Sequence, residues 1–423
     1  MSSQANAEEH PATASAPVVA MRPGFVTAIR GHVPWPVIVV AFGLYGMELL
    51  KASVDRAGAL DNLIVVHASQ HLLDGVSPYV ERRFLYPPSS IPFALLQAPF
   101  PDGLIRHAAP FVVGAMLLTG WWCALRMFDV SRRSWLGVVP VATAAWFVPA
   151  TSVAMLSSWT APVAAAGGIA LLLMARERWV AAALVIGLSI AVKPMLMPVG
   201  LVFLLARRWR ALAVCAGLPL AVFLAMLPLL PEPQRFFTET IPFLLSGQDA
   251  YSRPYDSSLP VILPRLGLAE PVVNAIRAAV LLLTLGAAVL RWRAGGDHRL
   301  RLSETTALLM TGTFLVSTPA FPHYAMVIVP VLVAGVVLPG SVARNVFFWF
   351  ALLPLFAFVQ LPLIDYAQPG ENRESFAFFI ALVVLLAVLV WTSCRVPPPE
   401  TGSLCRQART AEAPRRSARS AYR

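Results

Sequence analysis

The 423-residue chain is built from continuous apolar runs that approach 20 residues in length. A helix of roughly 20 residues crosses the hydrocarbon of a bilayer, about 30 Å thick, and pairs its own backbone polar groups there. A transmembrane β-barrel would show short segments of alternating hydrophobicity instead. The sequence therefore predicts an all-α, polytopic membrane protein. It should have about 11–12 transmembrane helices and short amphipathic helices on its outer face.

The composition agrees with a lipid environment. Hydrophobic residues make up 57% of the chain and charged residues only 13%, whereas soluble domains carry roughly 25% charged residues. The net charge of +11 could by itself indicate nucleic-acid binding. Most of the arginines, however, lie in short loops and in the C-terminal tail, as in membrane proteins that set their topology this way. We therefore expect the lipid bilayer, and no nucleic acid, as a partner.

Twelve apolar runs are predicted to be spans, at residues 34–50, 106–127, 134–152, 158–175, 179–192, 195–206, 211–230, 270–290, 303–320, 323–340, 345–364 and 376–394. Three polar segments are predicted to be outer loops, at residues 51–105, 231–269 and 365–375. Residues 34–394 would thus form one multispan domain. The flanking segments 1–33 and 395–423 lack apolar periodicity, and we expect them to be disordered.

The arginines set the predicted orientation. If the spans are counted correctly, one side of the membrane receives Arg132, Arg133, Arg176, Arg178, Arg207, Arg208, Arg210, Arg291, Arg293, Arg299, Arg301 and Arg344. The positive-inside rule makes that side the cytoplasm, together with both chain termini. Most acidic residues fall on the opposite side. The sequence therefore predicts a multi-pass plasma-membrane protein whose active site faces outward.

Lys193 is one of two lysines in the chain, and it lies inside an apolar stretch. One long helix over residues 179–206 would place the arginines that follow it on the wrong side. A break at Lys193-Pro194 restores the pattern, and proline favours such a break. Lys193 would then lie in the outer half of the bilayer, where an unpaired ammonium is costly. It needs an anionic partner, either a structural carboxylate or a bound phosphate.

The first outer segment contains a predicted helix that begins near Asp61 and is closed by Gly75. Asp61 could be a helix cap or a general base at the membrane edge. Arg82 and Arg83 follow, against the positive-inside trend, and such arginines often bind an anion such as phosphate. Tyr86 begins a rigid Tyr-Pro-Pro turn beside them.

The second outer segment combines Tyr255, Asp256 and Ser257 in a composition common in sugar-binding sites. A further outer turn contains His323, which could be a structural hydrogen bonder or a donor to a leaving phosphate. There is no Walker loop, no dinucleotide-binding glycine motif and no Asp-x-Asp pair. The four cysteines show no metal-ligand spacing. We therefore predict no cofactor and no metal, and group transfer from a lipid-linked phosphate.

Several motifs together resemble a known family. They are Asp61, Gly75 and Tyr79, Leu-Tyr-Pro-Pro at 85–88, Lys193-Pro194, Arg-x-Trp-Arg-Ala-Leu at 207–212 and Val-Leu-Pro-Gly-Ser-Val-Ala-Arg-Asn at 337–345. Over roughly residues 35–350 the chain resembles glycosyltransferase family 87, and within it the mycobacterial arabinofuranosyltransferases. The family has the multispan GT-C architecture and uses polyprenyl-phosphate sugars.

The resemblance implies that Asp61 is the catalytic base of an inverting transfer to a cell-envelope glycan or glycolipid. It implies that the donor phosphate is bound by Arg82, Arg83, Lys193 and His323. Acceptor or sugar binding would fall to Tyr86, Tyr255, Asp256 and Ser257.

The chain also departs from the arabinofuranosyltransferase pattern, at Leu60, at Asp256 and at Pro322-His323. Transfer of mannose, also found in this family, therefore stays open beside transfer of arabinofuranose. Two other classes remain as well. A lipid-linked-sugar flippase would be expected to show repeated halves and several charges near the bilayer midplane. A non-catalytic envelope subunit would tolerate loss of Asp61.

Overall fold

The computed structural model describes residues 23–55, 58–246, 252–359 and 371–395, and this part of the chain contains helices and no β-strand. The α-helices are α1 (Pro23–Arg30), α2 (Trp35–Val54), α3 (Leu60–Leu73), α4 (Ile91–Leu95), α5 (Asp102–Met127), α6 (Trp135–Thr143), α7 (Val148–Leu156), α8 (Thr160–Ala175), α9 (Trp179–Val192), α10 (Gly200–Leu205), α11 (Trp209–Met226), α12 (Ile241–Leu245), α13 (Leu259–Arg265), α14 (Glu270–Arg293), α15 (His298–Val316), α16 (Val329–Ala334), α17 (Val346–Leu352) and α18 (Glu371–Arg395). The predicted all-α class is confirmed.

Five helical segments in the described residues are long and apolar enough to cross a membrane. They are Trp35–Val54, Asp102–Met127, Trp209–Leu229, Glu270–Arg293 and Arg373–Arg395. Shorter apolar helical segments lie between them, at Trp135–Trp146, Thr160–Ala175, Trp179–Val192, Pro194–Leu205, Phe236–Leu245 and Val346–Leu355. The chain is thus a polytopic membrane protein in which long helices alternate with short ones.

Prolines divide several of the predicted spans. The segment 134–152 separates into α6 and α7, and 323–340 becomes the 3₁₀ turn Pro322–Val327 followed by α16. Within the predicted span 345–364, α17 gives way to a 3₁₀ turn at Leu353–Leu355. Proline lacks a backbone N–H and its ring clashes with the preceding turn, so a continuous helix is lost there. Residues 360–364 lie outside the described part of the chain.

Two predicted boundaries need correction. Residues 23–30 form α1, although they were placed in a disordered N-terminal segment. Val26 and Ile29 of this helix pack against the main hydrophobic core, which explains its order. The last helix begins at Glu371 rather than at 376. Residues 1–22 and 396–423 lie outside the described residues.

Small residues allow α5 and α8 to approach each other closely. A Cβ atom added to Gly168 would lie 2.7 Å from the carbonyl oxygen of Gly120, and one added to Gly120 would lie 3.0 Å from that of Ala164. Helices in membranes commonly pack through such small residues because the backbones can then make extensive van der Waals contact. This contact fixes the position of α8 against α5.

The arginine-bearing loops meet at one end of the bundle. Arg299 bonds to Asp129 at 2.6 Å, which joins the first turn of α15 to the loop after α5. Arg208 and His298 both contact Glu177, at 2.8 Å and 3.4 Å, which joins the loop after α10 and the start of α15 to the loop after α8. Loops that were predicted to share one side of the membrane therefore lie together.

Candidate active site

At the other end of the bundle, a cavity of about 650 Å³ opens between the start of α3, the end of α9 and the turn Pro322–Val327. Its polar wall includes Asp61, Arg83, Tyr86, Lys193 and His323. The other walls are mainly apolar and come from residues 194–201, α12, α14 and α15. Charges from distant parts of the sequence thus meet in one largely apolar chamber.

Asp61 lies in the first turn of α3. The residue before this helix, Ala59, has a left-handed backbone with φ 61°, and its N–H donates to the carbonyl of Met155 at 2.7 Å. Gly75, with φ 72°, follows the C-terminus of the helix as predicted. The helix has no side-chain cap, so the Asp61 carboxylate is not used in capping. The carboxylate accepts a hydrogen bond from Ser158 and lines the cavity.

The surroundings of Asp61 change its acidity. Burial raises the pKa of its carboxyl above the ordinary aspartate value, since the charged form loses hydration. The ammonium of Lys193 and the hydroxyl of Ser158 favour the ionised form and lower the pKa in part. A carboxylate with a raised pKa is the stronger base, and this arrangement therefore suits proton abstraction from a hydroxyl.

Lys193 lies directly after α9, and the predicted break at Lys193-Pro194 is confirmed by the 3₁₀ turn Pro194–Val199. Its ammonium donates to the hydroxyl of Thr160 at 3.1 Å and lies 5.0 Å from the ring centre of Tyr324. An ammonium has three N–H donors, and Thr160 accepts one of them. The side chain is half-buried and lines the cavity, so it can bind an anion there.

His323 is buried in the turn that follows α15. Its ring stacks on Phe321 with centroids 5.6 Å apart, and its Nε2 lies 3.5 Å from the hydroxyl of Ser158. The side chain lines the same cavity as Asp61 and Lys193. Both roles considered from the sequence, a structural hydrogen bond and contact with a ligand, are compatible with this position.

The two neighbouring arginines occupy different places. Arg83 lines the cavity, whereas the guanidinium of Arg82 lies over the ring of Phe243 at 5.0 Å from its centre. Arg82 is absent from the described residues that line the cavity. It therefore connects the segment before Tyr86 to α12, and Arg83 is the better placed of the two to contact a ligand.

Tyr255, Asp256 and Ser257 lie behind the cavity wall and are absent from its described lining residues. The buried carboxylate of Asp256 accepts hydrogen bonds from the N–H groups of Ser258 and Ala320, at 2.9 Å and 3.0 Å. The N–H of Ser257 donates to the carbonyl of Ala320 at 2.7 Å. These residues fasten the outer segment to the turn that carries His323, while their predicted sugar binding stays a prediction.

Comparison with known proteins identifies the family. The model of glycosyltransferase family 87 matches residues 84–318, which is more than half of the chain. An α-(1→3)-arabinofuranosyltransferase of Mycobacterium tuberculosis is 30% identical over 332 residues, covering 74% of this chain and 73% of that protein. One from Mycolicibacterium smegmatis is 28% identical over 328 residues, with the same coverage. The chain belongs to glycosyltransferase family 87.

The protein is therefore a membrane glycosyltransferase. The family match includes Lys193 but begins after Asp61, so the catalytic assignment of Asp61 depends on the geometry of the cavity. The sequence had left two other classes open, a flippase and a non-catalytic subunit. Family membership favours the enzyme over both.

The sequence reading of this glycosyltransferase missed three consecutive residues. Ser158, Trp159 and Thr160 were assigned to the apolar span 158–175, yet each contacts a residue of the cavity wall. Ser158 bonds to Asp61, Thr160 accepts from Lys193, and the ring of Trp159 meets Tyr86 edge-on at 5.6 Å. The available signal was a hydroxyl-rich start on an otherwise apolar span.

Asn62 was also missed. It is buried beside Asp61, and its side-chain oxygen accepts a 2.7 Å hydrogen bond from the indole of Trp159. Its amide nitrogen donates to Gln97 at 2.8 Å. The first turn of α3 is thereby tied both to the start of α8 and to the segment after α4.

Proposed function

We propose that this enzyme transfers an arabinofuranosyl residue, with inversion, from a polyprenyl-phosphate donor to a cell-envelope glycan or glycolipid at the outer face of the membrane. One observation carries the proposal, namely that Asp61, Lys193 and Arg83 line a single cavity whose remaining walls are mostly apolar. A base, cations for a phosphate and an apolar surface for a lipid are the three parts that this reaction needs.

In the proposed reaction, Asp61 accepts the proton of an acceptor hydroxyl as the hydroxyl oxygen attacks the anomeric carbon. The bond between that carbon and the phosphate oxygen breaks, and its electron pair leaves on the polyprenyl phosphate. Lys193 and Arg83 stabilise the charge on the departing phosphate, and His323 can donate to the same oxygen. A single displacement on the face opposite the phosphate inverts the anomeric configuration.

The lipid tail of the donor requires an apolar path from the polar wall into the bilayer. Met197 and Leu201 line one side of the cavity, and Leu281 and Leu285 of α14 line the other. All four are at least one-third exposed and belong to apolar helical segments. We propose that the isoprenoid chain lies between these two walls.

The outer-face assignment follows from charge. The cavity lies at the end of the bundle opposite the clustered arginine loops, and the positive-inside rule places those loops in the cytoplasm. A polyprenyl-phosphate sugar could then enter laterally from the outer leaflet while the acceptor approaches from the aqueous side.

The preference for arabinofuranose comes from the relatives, which are named for transfer of that sugar at 28–30% identity. Mannose is the second candidate, because Leu60, Asp256 and Pro322-His323 depart from the arabinofuranosyltransferase pattern. The acceptor and its linkage are not part of the proposal.

The test is sugar transfer by purified protein reconstituted in lipid. Polyprenyl-phosphate arabinofuranose and polyprenyl-phosphate mannose are supplied separately, each with a matched arabinan or mannoside acceptor. Asp61→Asn should lower the transfer rate by about 10²–10⁴-fold, the usual contribution of a general base. Asp102→Asn makes the same chemical change at an exposed carboxylate that pairs with His67, and it should retain activity.

Transfer of arabinofuranose by the wild type, with loss in Asp61→Asn alone, would support the whole proposal. Transfer of mannose instead would change the proposed sugar but leave the proposed site unchanged. Full activity of a folded Asp61→Asn variant would remove Asp61 as the base. If the wild type transferred neither sugar to any acceptor, the polyprenyl-phosphate donor would be wrong.

A further inference from the structure

The candidate catalytic groups come from three separate parts of the chain, and they meet at one short segment. Asp61 is on α3, Lys193 follows α9, and His323 lies after α15. No two of these elements are consecutive in the sequence. The element that lies among all three is the start of α8, with Ser158, Trp159 and Thr160.

Ser158 is fully buried and contacts two of the three groups. Its hydroxyl bonds to the carboxylate of Asp61 and lies 3.5 Å from Nε2 of His323. The same oxygen lies 3.3 Å from the hydroxyl of Thr160. One hydroxyl thus connects the proposed base to the histidine on the opposite wall.

Thr160, also fully buried, contacts the third group. Its hydroxyl accepts the 3.1 Å hydrogen bond from the ammonium of Lys193. A threonine hydroxyl can accept from an ammonium and still have its own proton for another partner. Thr160 therefore fixes the position of Lys193 without neutralising its charge, unlike a carboxylate in the same place.

Trp159 lies between them and contacts two parts of the first outer segment. Its indole N–H donates to Asn62, the neighbour of Asp61, at 2.7 Å, and its ring meets Tyr86 edge-on. The backbone on either side is also bonded: the N–H of Ser158 donates to Val153, and Met155 accepts from Ala59 just before α3. The corner between α7 and α8 therefore contacts α3 through both backbone and side chains.

We propose that Ser158, Trp159 and Thr160 form a positioning tripeptide for glycosyl transfer, in which Ser158 orients Asp61 toward the acceptor hydroxyl and Thr160 orients Lys193 toward the donor phosphate. This inference rests on the function proposed above and assigns residues that touch neither reacting atom. The close contact between α5 and α8 holds the helix that follows the tripeptide, so the three segments are positioned from one place in the fold.

The two hydroxyls have separable effects. The Ser158 hydrogen bond favours the ionised form of Asp61, so its loss should raise the pKa of that carboxyl. The groups that face Asp61 are Lys193 after α9, Tyr86 in the segment before α4 and His323 and Tyr324 in the turn Pro322–Val327. On α5, Asp102 pairs with His67, and His107 bonds to the backbone carbonyl of Ser53. Among them, His323 is the group that also contacts the Ser158 hydroxyl, at 3.5 Å.

The first experiment is the pH dependence of kcat/KM for sugar transfer in reconstituted protein. Ser158→Ala should move the acidic limb of this pH profile to higher pH, as expected for loss of a hydrogen bond to a carboxylate. Ser158→Thr keeps the hydroxyl and should restore the wild-type limb. Ser157→Ala, the same kind of change one residue earlier, should leave the limb in place. A purely structural role for Ser158 would lower activity without moving the limb.

The second experiment needs no turnover. Binding of polyprenyl phosphate, the lipid that would leave, is measured in detergent by isothermal titration. Thr160→Val should weaken binding about tenfold, and Thr160→Ser should restore it, while Ser157→Ala should leave binding close to that of the wild type. Thermal unfolding of each variant establishes that it is folded.

The outcomes separate the two proposals. If the wild type neither binds polyprenyl phosphate nor transfers sugar from it, the proposed function fails, and the tripeptide's role fails with it. If the wild type does both, but Ser158→Ala keeps the acidic limb and Thr160→Val keeps the affinity, only the tripeptide's role is overturned.

Discussion

At the scale of single residues, the chemistry depends on how an apolar cavity treats its few charges. Asp61 and Lys193 line the same cavity, and the carboxylate and the ammonium attract each other. Each is also fixed by a neutral hydroxyl, from Ser158 or Thr160. Neutral partners leave both charges available, one for a proton and one for a phosphate.

The acidity of Asp61 gives a first prediction. A general base must be ionised, so the rate falls as the pH falls through its pKa. Because burial raises that pKa, the fall should begin well above the pH near 4 at which an ordinary aspartate titrates. The check is kcat/KM against pH in lipid, with thermal unfolding recorded at each pH. A profile that stays flat down to about pH 4 would contradict the assignment.

Lys193 gives a second prediction. Lys193→Gln removes the ammonium but keeps a polar side chain of similar length, and it should lower kcat/KM for the lipid donor by about 10²-fold or more. The other lysine of the chain is the natural control. Lys51→Gln changes an exposed residue that pairs only with Glu48 in the described structure, and its kinetics should match the wild type. Equal effects of the two substitutions would exclude a specific role for Lys193.

At the scale of helices, the site depends on the position of α8 and on the opening between α10 and α14. The position of α8 depends on its close contact with α5 through Gly120 and Gly168. The second is the apolar opening between Leu201 and Leu285. Both depend on the size of individual side chains and can be tested by enlarging them.

Gly168→Ala should destabilise the protein. The added Cβ atom would lie 2.7 Å from the carbonyl oxygen of Gly120, so the two backbones must separate. Overpacking of this kind costs about 1–3 kcal/mol and should lower the thermal unfolding temperature. Gly217→Ala is the matched control, because its added Cβ would meet no atom within 4 Å. Unchanged stability of Gly168→Ala would show that the two helices can move apart freely.

Leu285→Trp tests the proposed path for the lipid tail. The larger ring would occupy the opening between α10 and α14, so a long polyprenyl donor should lose about tenfold in kcat/KM. A donor with a tail of two isoprene units should be much less affected. Leu282→Trp, on the same helix but pointing away from the cavity lining, should behave like the wild type with both donors. Equal loss with long and short tails would argue against this path.

At the scale of the whole molecule, the distribution of charge divides the bundle into two ends. One end contains the arginine loops and the ion pairs Arg299–Asp129 and Arg208–Glu177. The other contains the cavity. The positive-inside rule predicts that the arginine-rich end faces the cytoplasm, and this would set the orientation of the enzyme in the membrane.

Thiol labelling in intact cells tests this orientation. In a background without the four native cysteines, Ser246→Cys at the cavity end should react with a membrane-impermeant maleimide added outside. Arg207→Cys at the arginine end should react only after the cells are opened. Both positions are exposed, so a difference in labelling reports the side of the membrane. The reverse pattern would place the active site in the cytoplasm.

The sequence by itself determined the class of the fold, the family and much of the polar wall. Long apolar runs can only be helices in lipid, and the arginine pattern correctly grouped the loops at one end. The break at Lys193-Pro194 was predictable because proline cannot continue a helix without losing a hydrogen bond. Asp61 was predictable because a carboxylate at the start of an outer helix stood beside family motifs.

Only the tertiary structure decided which polar residues share a cavity. Arg82 and Arg83 are neighbours in sequence, but Arg83 lines the cavity whereas Arg82 stacks over the ring of Phe243 and is absent from the described lining. Asp256 resembled a sugar ligand, yet its carboxylate is used by two backbone N–H groups. From the sequence alone, the tripeptide at residues 158–160 was interpreted as the start of a membrane span. Its proposed function depends on contacts with residues 33 and 165 positions away, and no local pattern encodes contacts at such separations.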